Sequence, residues 1–403
     1  MISVDASALF KPLQLPCGKS LKNRLAKAAM SDSLGDGCGN PTSEQMQLYR
    51  RWAMGGAALS IIGEVQADTN FAEKPGNLIL DGSPRSAAKS SDFKKLAQEG
   101  SVNNSSLWMQ IGQAGAMAYP PISTPKVPSE LDLPGLRCGE LSLTEIRQIP
   151  KNFARTARLA RDYGFGGVEI HAAHGFLLSQ FLSPLFNHRT DDYGGSLENR
   201  MQLLLEAIDS VRAAVGPEFP VGVKINSSDQ IEGGLSQEEA LQIVKRLDST
   251  SVDLIDISGG TYFPGAKSAS DASSSGPYFL EFAKKARTQT LKPIMVVGGF
   301  KTAAQAVNAV ESGDVDMVGL ARALILYPDL PNAWMAGTLA EPEFPRFESP
   351  PEGAVTAWYT MRMLHDGKEE SEHDHGLDAT AALSVYNERD KQREMIWKRM
   401  LLE

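Results

Sequence analysis

The sequence predicts a TIM (β/α)8 barrel of the α/β class, followed by a C-terminal helical extension. Short apolar segments alternate eight times with longer segments of helical periodicity. Several apolar segments are β-branched and do not alternate with polar residues, as in Val221–Ile225, which is typical of strands buried on both faces of a parallel sheet. This alternation favours a closed barrel. An open doubly wound sheet is the competing architecture, but no Gly-x-Gly-x-x-Gly motif follows the first strand.

The predicted strands are the apolar segments bounded by turn-forming or charged residues. In chain order they are Arg24–Ala29, Leu59–Glu64, Ser106–Ile111, Gly167–His171, Val221–Asn226, Asp253–Ile257, Pro293–Val297 and Val315–Gly319. Capping-box sequences mark two helix starts, Ser142-Leu-Thr-Glu145 and Ser236-Gln-Glu-Glu239, and Thr42-Ser-Glu-Gln45 is a weaker version.

Two segments depart from the strand–helix rhythm. Residues 112–141 follow the third strand and are rich in proline, so we expect a long loop capping the C-terminal face of the barrel, where barrel enzymes place their sites. A plain surface excursion is the alternative. We assign residues 1–338 to the barrel and residues 339–403 to a linker and a helical extension. The predicted helices Ala354–Leu364 and Ala381–Leu402 pack either on the barrel or on a partner subunit.

Composition excludes several classes of protein. The 403 residues are 42% hydrophobic and 22% charged, which excludes a wholly disordered chain. The net charge of −9 argues against a nucleic-acid partner. No apolar run is long enough to cross a membrane, and the N-terminus lacks the features of a signal peptide. We therefore expect a cytoplasmic enzyme with a small-molecule substrate and no membrane partner, and we leave a homo-oligomer open.

Two histidines follow the predicted fourth strand in the pattern His171-x-x-His174. Two imidazoles at this spacing could donate hydrogen bonds to one oxygen, bind a metal ion, or form a structural pair. A metal site would need a third ligand, and no carboxylate stands at the spacing of a His-Glu-x-x-His helix. We expect no metal and favour a clamp for an oxyanion or a carbonyl oxygen.

Glycines close the last two predicted strands, where such barrels bind phosphate groups. Gly298 and Gly299 end the seventh strand, and Gly319-Leu-Ala321-Arg322 ends the eighth. Backbone amides there suit a phosphate, and the Arg322 guanidinium can add a bidentate contact.

Lys224 lies in the apolar fifth strand, where an unpaired charge would be costly. It either faces a polar cavity at the barrel mouth or pairs with a core carboxylate such as Glu169 or Asp256. Gln110 in the third strand and Ser31 after the first could join Lys224 in hydrogen-bonding the carbonyl groups and ring nitrogens of a heterocycle.

The segment His171–Arg200 resembles the signature of the Old Yellow Enzyme family of FMN-dependent oxidoreductases. It reads HAAHGFLLSQFLSPLFNHRTDDYGGSLENR. Further similar segments follow in the family's order and extend the resemblance to about residues 8–330. They are Lys22–Arg24, Ala28–Ser31, Gln110, Lys224–Asp229, Ile257–Thr261, Gly298–Gly299, Gly319 and Arg322.

The resemblance implies a barrel that holds FMN non-covalently, takes reducing equivalents from NADPH or NADH, and passes them to an electron-poor acceptor such as an activated alkene or a quinone. It implies that the flavin is lined by residues at the strand ends, with only the backbone near Glu64 and Val65 passing close by. These cofactor-binding residues would be Ala29, Met30, Ser31, Val65, Gln110, Lys224, Gly298, Gly299, Ala321 and Arg322. His171 and His174 would hold the substrate oxygen.

Phe176 is the main departure from the family pattern, since many relatives carry there a tyrosine that protonates the substrate. A proton would then come from Tyr262, from Tyr119 or from water. The departure keeps three other functions open. They are a flavin-dependent oxidation or isomerisation, a flavin-binding protein without turnover, and a phosphate-ligand barrel in which Lys224 forms a Schiff base.

Overall fold

Eight parallel strands close into a barrel within the part of the chain that the structure describes. The structure is a computed structural model that describes residues 5–133, 136–263, 276–338, 341–368 and 376–402. The strands are β1 (Leu25–Ser31), β2 (Leu59–Gln66), β3 (Ser106–Gly112), β4 (Gly167–Ala172), β5 (Val221–Asn226), β6 (Leu254–Ser258), β7 (Ile294–Val297) and β8 (Met317–Leu320). Each strand pairs with the next, and β8 pairs with β1 to complete the barrel. The predicted TIM barrel and all eight predicted strands are confirmed, with small shifts at the strand ends.

Helices follow the strands and surround the barrel. Their bounds are α1 (Ser43–Met54), α2 (Pro84–Ala88), α3 (Ser90–Gly100), α4 (Leu143–Asp162), α5 (Leu177–Leu182), α6 (Leu197–Val215), α7 (Gln237–Asp248), α8 (Leu280–Arg287), α9 (Ala303–Glu311), α10 (Arg322–Leu326), α11 (Leu330–Ala336), α12 (Ala354–Gly367) and α13 (Ala379–Leu402). Both predicted capping boxes form, at Ser142 for α4 and at Ser236 for α7. No helix in the described ranges is long and apolar enough to cross a membrane.

The barrel interior is apolar at its lower end and polar at its mouth. Apolar side chains from six strands fill the lower layers. They are Ala26, Leu59, Ile61, Trp108, Leu254, Met295 and Met317. Gly167 lies against the indole of Trp108, and a Cβ there would stand 2.5 Å from Trp108 Cε2, so glycine leaves the room that this ring needs. Higher up, strands β3 to β6 each contribute a buried polar side chain.

The loop after β3 carries structure of its own. Three short strands, Lys126–Val127, Leu131–Leu133 and Leu136–Glu140, form a small sheet beside the mouth. That residues 112–141 cap the site stays a prediction. The run His373-Asp374-His375 of the tail, whose side chains could suggest a metal site but whose acidic flanks favour a solvated loop, lies outside the described residues.

The C-terminal helix α13 covers one side of the barrel mouth. Trp397 is fully buried in an apolar cluster with Ala72, Ile79, Ile122 and Met400. Two polar contacts continue this docking. Arg393 donates a hydrogen bond to the backbone oxygen of Ser33 in the loop after β1, and the hydroxyl of Tyr119 bonds Glu394 Oε2 at 3.2 Å. Of the two placements that the sequence left open for this helix, the structure has the one on the barrel.

We predict that Trp397→Ala releases α13 from the mouth. Truncating a buried tryptophan typically costs about 3–5 kcal/mol, and this cost falls on the docking of the helix because the barrel core lies elsewhere. Limited proteolysis should cut α13 faster in the variant, while the barrel keeps its circular dichroism spectrum. Ile396→Ala is the matched control, since Ile396 is 38% exposed on the outer face. Equal cleavage rates for the two variants would contradict the docking.

Candidate active site at the barrel mouth

Two hydrogen-bonded pairs form a polar layer inside the barrel. Lys224 Nζ on β5 donates to Asp256 Oδ2 on β6 at 2.7 Å, and both side chains are almost completely buried. Gln110 Nε2 on β3 donates to Glu169 Oε1 on β4, also at 2.7 Å. The strand register brings each pair together, because Lys224 is aligned with Asp256 and Gln110 with Glu169.

Burial and neighbouring charges set the protonation of this layer. Burial raises the pKa of Glu169 to about 8, and the Asp256 carboxylate adds to the rise. Burial alone would lower the pKa of Lys224, but the carboxylates of Asp256 and Glu169 raise it above its ordinary value. Lys224 is therefore a cation at neutral pH. Its ammonium has three donors, of which Asp256 takes one.

The two histidines stand in contact above this layer. His171 is the last residue but one of β4, and its Nε2 lies 3.2 Å from His174 Nδ1. Asn226 Oδ1 accepts a hydrogen bond from the backbone N–H of His174, and Ser258 Oγ lies 2.8 Å from His174 Nε2. His174 has a φ of +61°, an uncommon conformation for a residue other than glycine, and its contacts with β5 and β6 hold it there.

Both imidazoles are neutral at physiological pH. Burial lowers the pKa of His171 to about 3, and the Lys224 cation acts in the same direction. Burial also lowers the pKa of His174 well below its ordinary value. A neutral imidazole has one N–H donor and one acceptor, so the pair can act as hydrogen-bond donors without carrying charge.

Aromatic rings line one wall of the site. The ring centroid of Phe176 lies 4.6 Å from that of His171. Tyr262, after β6, lies 5.7 Å from the His174 ring and 6.0 Å from the Phe176 ring, and it is 67% exposed. The structure thus brings Tyr262 to the histidines, whereas the hydroxyl of Tyr119 is bonded to α13.

The end of β1 approaches β2 closely. Ala29, Met30 and Ser31 are half-buried, and Ser31 Oγ accepts a long hydrogen bond of 3.4 Å from Asn77 Nδ2. A Cβ on Gly63 would lie 1.9 Å from the backbone oxygen of Met30, so this crossing requires glycine. The side chain of Val65 belongs to the main apolar core, which leaves only its backbone for a ligand.

Glycines and an arginine meet beyond β7 and β8. Gly298 and Gly299 have φ angles of +108° and +80°, and a Cβ on Gly299 would stand 2.4 Å from the backbone oxygen of Gly276. Ala321 and Arg322 follow β8 directly, and both are half-buried. The guanidinium carbon of Arg322 lies 5.4 Å from the centroid of the Tyr359 ring on α12, which holds the side chain in place.

The residues at the mouth fit the flavin that the sequence resemblance implies. Among the described residues, Glu169 Oε2, Asp256 Oδ1 and His171 Nδ1 are buried without a hydrogen-bond partner. Such atoms are costly unless a ligand or water satisfies them. A flat heterocycle with carbonyl groups and ring nitrogens matches the donors of this layer, and the side-chain-free backbone at Gly298 and Gly299 suits a phosphate.

Sequence reasoning missed the side chain of Glu64. It ends in the site, where Glu64 Oε1 lies 3.9 Å from His171 Nδ1. The sequence could have indicated it, because Glu64 is a single carboxylate in the apolar strand Leu59–Val65. Like the lysine in β5, such a group must either find a partner or face a polar cavity. Ser258 was also missed as a support for His174, and a serine at a strand end gives no such signal.

Comparisons with known proteins show the family to which the chain belongs. A profile of the NADH:flavin oxidoreductase / NADH oxidase family matches residues 8–338. The chain is 35% identical over 359 residues to the NADH-dependent flavin oxidoreductase of Hypocrea jecorina, covering 80% of this chain and 88% of that protein. It is 33% identical over 242 residues to the NADPH dehydrogenase of Bacillus velezensis, covering 59% and 68% respectively.

Solved structures share the fold. The Old Yellow Enzyme homologue of Zymomonas mobilis superposes with a TM-score of 0.72 at 23% identity, covering 87% of this chain and 98% of that one.

The chain spans only part of the length of some other relatives. It is 34% identical to the NADH-dependent flavin oxidoreductase of Neonectria, and the match covers 80% of this chain but 46% of that protein.

We predict that His171 and His174 stay uncharged in the native protein down to about pH 5. Burial excludes the imidazolium, whereas the unfolded chain binds protons near pH 6.5. The free energy of unfolding should therefore fall as the pH drops below about 6.5, by about 1.4 kcal/mol per pH unit for each ring. Nitrogen–proton NMR spectra of the rings give the measurement, with His171→Asn to assign the signals. A ring that gains a proton above pH 5 in the native protein would overturn the assignment.

Proposed function

This chain belongs to the NADH:flavin oxidoreductase / NADH oxidase family, and we propose that it reduces a small electron-poor acceptor, such as an α,β-unsaturated carbonyl compound or a quinone. Its cofactors are FMN and NADH or NADPH. The single observation that carries the choice of acceptor is the pair of neutral imidazoles at the barrel mouth, beside a buried lysine. Such a pair suits an oxygen that gains negative charge during a reaction.

Residues of the polar layer would hold the heterocycle of FMN. When bound, FMN takes two electrons from the nicotinamide and passes them to the acceptor. The ammonium of Lys224 would stabilise negative charge on the ring system, and Gln110 and Ser31 would hydrogen-bond its polar edge. Ala29, Met30 and the backbone of Val65 would line its sides. Lysine is a point donor, so this site keeps the charge but not the forked geometry of an arginine.

The phosphate of FMN would lie beyond β7 and β8. Backbone amides at Gly298, Gly299 and Ala321 would donate to its oxygens, and the guanidinium of Arg322 would add a charged contact. The φ angles of the two glycines support this assignment, because such conformations expose backbone N–H groups without a side chain in the way.

His171 and His174 would bind the acceptor's carbonyl oxygen. Reduction of a conjugated carbonyl compound builds negative charge on that oxygen, and donors already in position stabilise it without reorganisation. Removing one such donor typically costs about 2.7–4 kcal/mol of transition-state stabilisation. The hydrogen bond between the two imidazoles must then break, so that at least one ring N–H can donate to the acceptor's oxygen instead. Tyr262 stands against the His174 ring and would border the acceptor.

A second candidate function is a flavin-dependent oxidation or isomerisation in the same barrel. The observation that favours it is Phe176, which is 3% exposed and packs on the His171 ring without an acidic hydrogen. An oxidation has no need of a proton donor at this position.

We expect NADH to bleach the yellow protein at about one equivalent per flavin in an anaerobic titration. Two electrons convert the flavin to its colourless reduced form, and addition of 2-cyclohexen-1-one or 1,4-benzoquinone should then restore the colour. NADPH is titrated in parallel. Bleaching without recovery by either acceptor would favour the second candidate. A yellow protein that neither nucleotide bleaches would contradict the proposed reduction.

We predict that Arg322→Met weakens FMN binding about 10- to 150-fold. A hydrogen bond to a charged group contributes about 1.5–3 kcal/mol, which corresponds to this range of dissociation constants. Fluorescence titration of the apoprotein with FMN measures the change. Arg322→Lys is the matched control and should lose less, because it keeps the charge but not the bidentate contact. An unchanged dissociation constant in Arg322→Met would remove Arg322 from the phosphate site.

A further inference from the structure

Glu64 has a strained backbone conformation and a buried carboxyl group, and the barrel fold alone explains neither. It has a φ of +64°, in the left-handed region, which is strained for a residue other than glycine. The pairing of β2 with β3 shifts register between Ile62 and Val65, which turns Glu64 inward. Glycine neighbours make room for it, since a Cβ on Gly112 would lie 2.7 Å from Glu64 Oε1.

The carboxyl group of Glu64 is buried and incompletely satisfied. Its side chain is 3% exposed, and Glu64 Oε1 has no hydrogen-bond partner within the described ranges. Burial raises the pKa of Glu64 to about 8, so the group is a neutral acid at physiological pH. Besides His171, the titratable groups that face it are Glu73 and Lys74 in the loop after β2 and Tyr262 after β6.

A chain of polar groups leads away from this acid. Glu64 Oε1 lies 3.9 Å from His171 Nδ1, and His171 Nε2 lies 3.2 Å from His174 Nδ1. His171 Nδ1 has no hydrogen-bond partner in the described part of the chain, so Glu64 Oε1 at 3.9 Å is a neighbour that has not yet formed a hydrogen bond with it. Catalytic hydrogen bonds are often long without substrate and tighten when it binds. If the Glu64 hydroxyl donates to His171 Nδ1, the ring proton of His171 must stand on Nε2.

We propose that Glu64 is the proton source of this site and acts through His171. The inference rests on the proposed function, and it supplies the proton that Phe176 cannot give. As the reducing equivalents of NADH reach the β-carbon of an α,β-unsaturated ketone as a hydride, His171 Nε2 gives its proton to the carbonyl oxygen. Glu64 gives its own proton to His171 Nδ1. The products are NAD⁺, the enol of the saturated ketone, the Glu64 carboxylate and His171 with its proton on Nδ1. As the enol takes a proton from solvent at its α-carbon, its hydroxyl proton returns to His171 Nε2 and the Nδ1 proton returns to Glu64, which restores the resting state.

Glu64 is thus a positioning and proton-supplying residue. Two variants separate these roles. In Glu64→Gln, the amide N–H can still donate to His171 Nδ1, so the orientation of the ring is kept while proton transfer is lost. Glu64→Asp keeps an ionisable acid, although on a shorter side chain. Glu73→Gln is the matched control, because it removes a half-buried carboxyl group from the same neighbourhood, in the loop after β2.

The first measurement is the reduction of 2-cyclohexen-1-one by NADH across the pH range. We expect kcat to fall about 100-fold in Glu64→Gln, the lower end of general-acid contributions, with KM little changed. In the wild type the rate should decline as the pH rises through about 8, since Glu64 then loses its proton. Glu64→Asp should keep a declining limb, Glu64→Gln should lose it, and Glu73→Gln should behave as the wild type.

The second measurement needs no turnover. The wild-type minus Glu64→Gln infrared difference spectrum of the resting protein should contain the carbonyl stretch of a protonated carboxylic acid, which disappears as the pH is raised through about 8. The carboxyl group of Glu169 is present in both proteins and cancels in this difference. A wild-type rate in Glu64→Gln, or an unchanged infrared difference, would overturn the inference. Failure of the proposed function looks different, because NADH would then leave the wild-type flavin coloured.

Discussion

Burial of charge inside the barrel mouth is the constraint on which the site depends. A lone ammonium or carboxylate at this depth would cost several kcal/mol, so Lys224 and Asp256 need each other. Their contact requires β5 and β6 to keep a register in which the two residues are aligned. The same reasoning applies to Gln110 and Glu169 on β3 and β4. The same cross-strand hydrogen bonds therefore fix the register of these strands and place the polar groups of the mouth.

The low polarity of this interior also decides which groups carry charge. It keeps His171, His174 and Glu64 neutral, whereas Lys224 stays charged because its ammonium is paired with Asp256 at 2.7 Å. The site therefore has one fixed cation beneath a set of neutral donors and acids. Neutral groups can exchange protons without creating a buried ion that lacks a partner, which is the costly event in such surroundings. Aromatic rings of Phe176 and Tyr262 continue this environment towards solvent.

Strand and helix positions could be predicted from the sequence because they rest on local patterns. The apolar segments and the capping boxes at Ser142 and Ser236 are such patterns, and the structure has them where the sequence indicates. Side-chain direction was harder to predict. Lys27 and Lys224 both interrupt apolar strands, yet Lys27 points outward to the Trp52 ring of α1, at 4.5 Å, while Lys224 points inward. Glu64 was missed because a register shift, not strand alternation, turns it into the site.

The position of α13 has a consequence for how this protein can vary. The family profile ends at residue 338, whereas the helix that covers the mouth begins at Ala379. The barrel chemistry and the rim that an acceptor must pass are therefore encoded in separate stretches of the chain. Mutations in the inward face of α13, at Arg393 or Trp397, can reshape this side of the mouth while the polar layer proposed to bind the flavin keeps its residues. Selection for new acceptors can work on this helix without disturbing the electron transfer that it encloses.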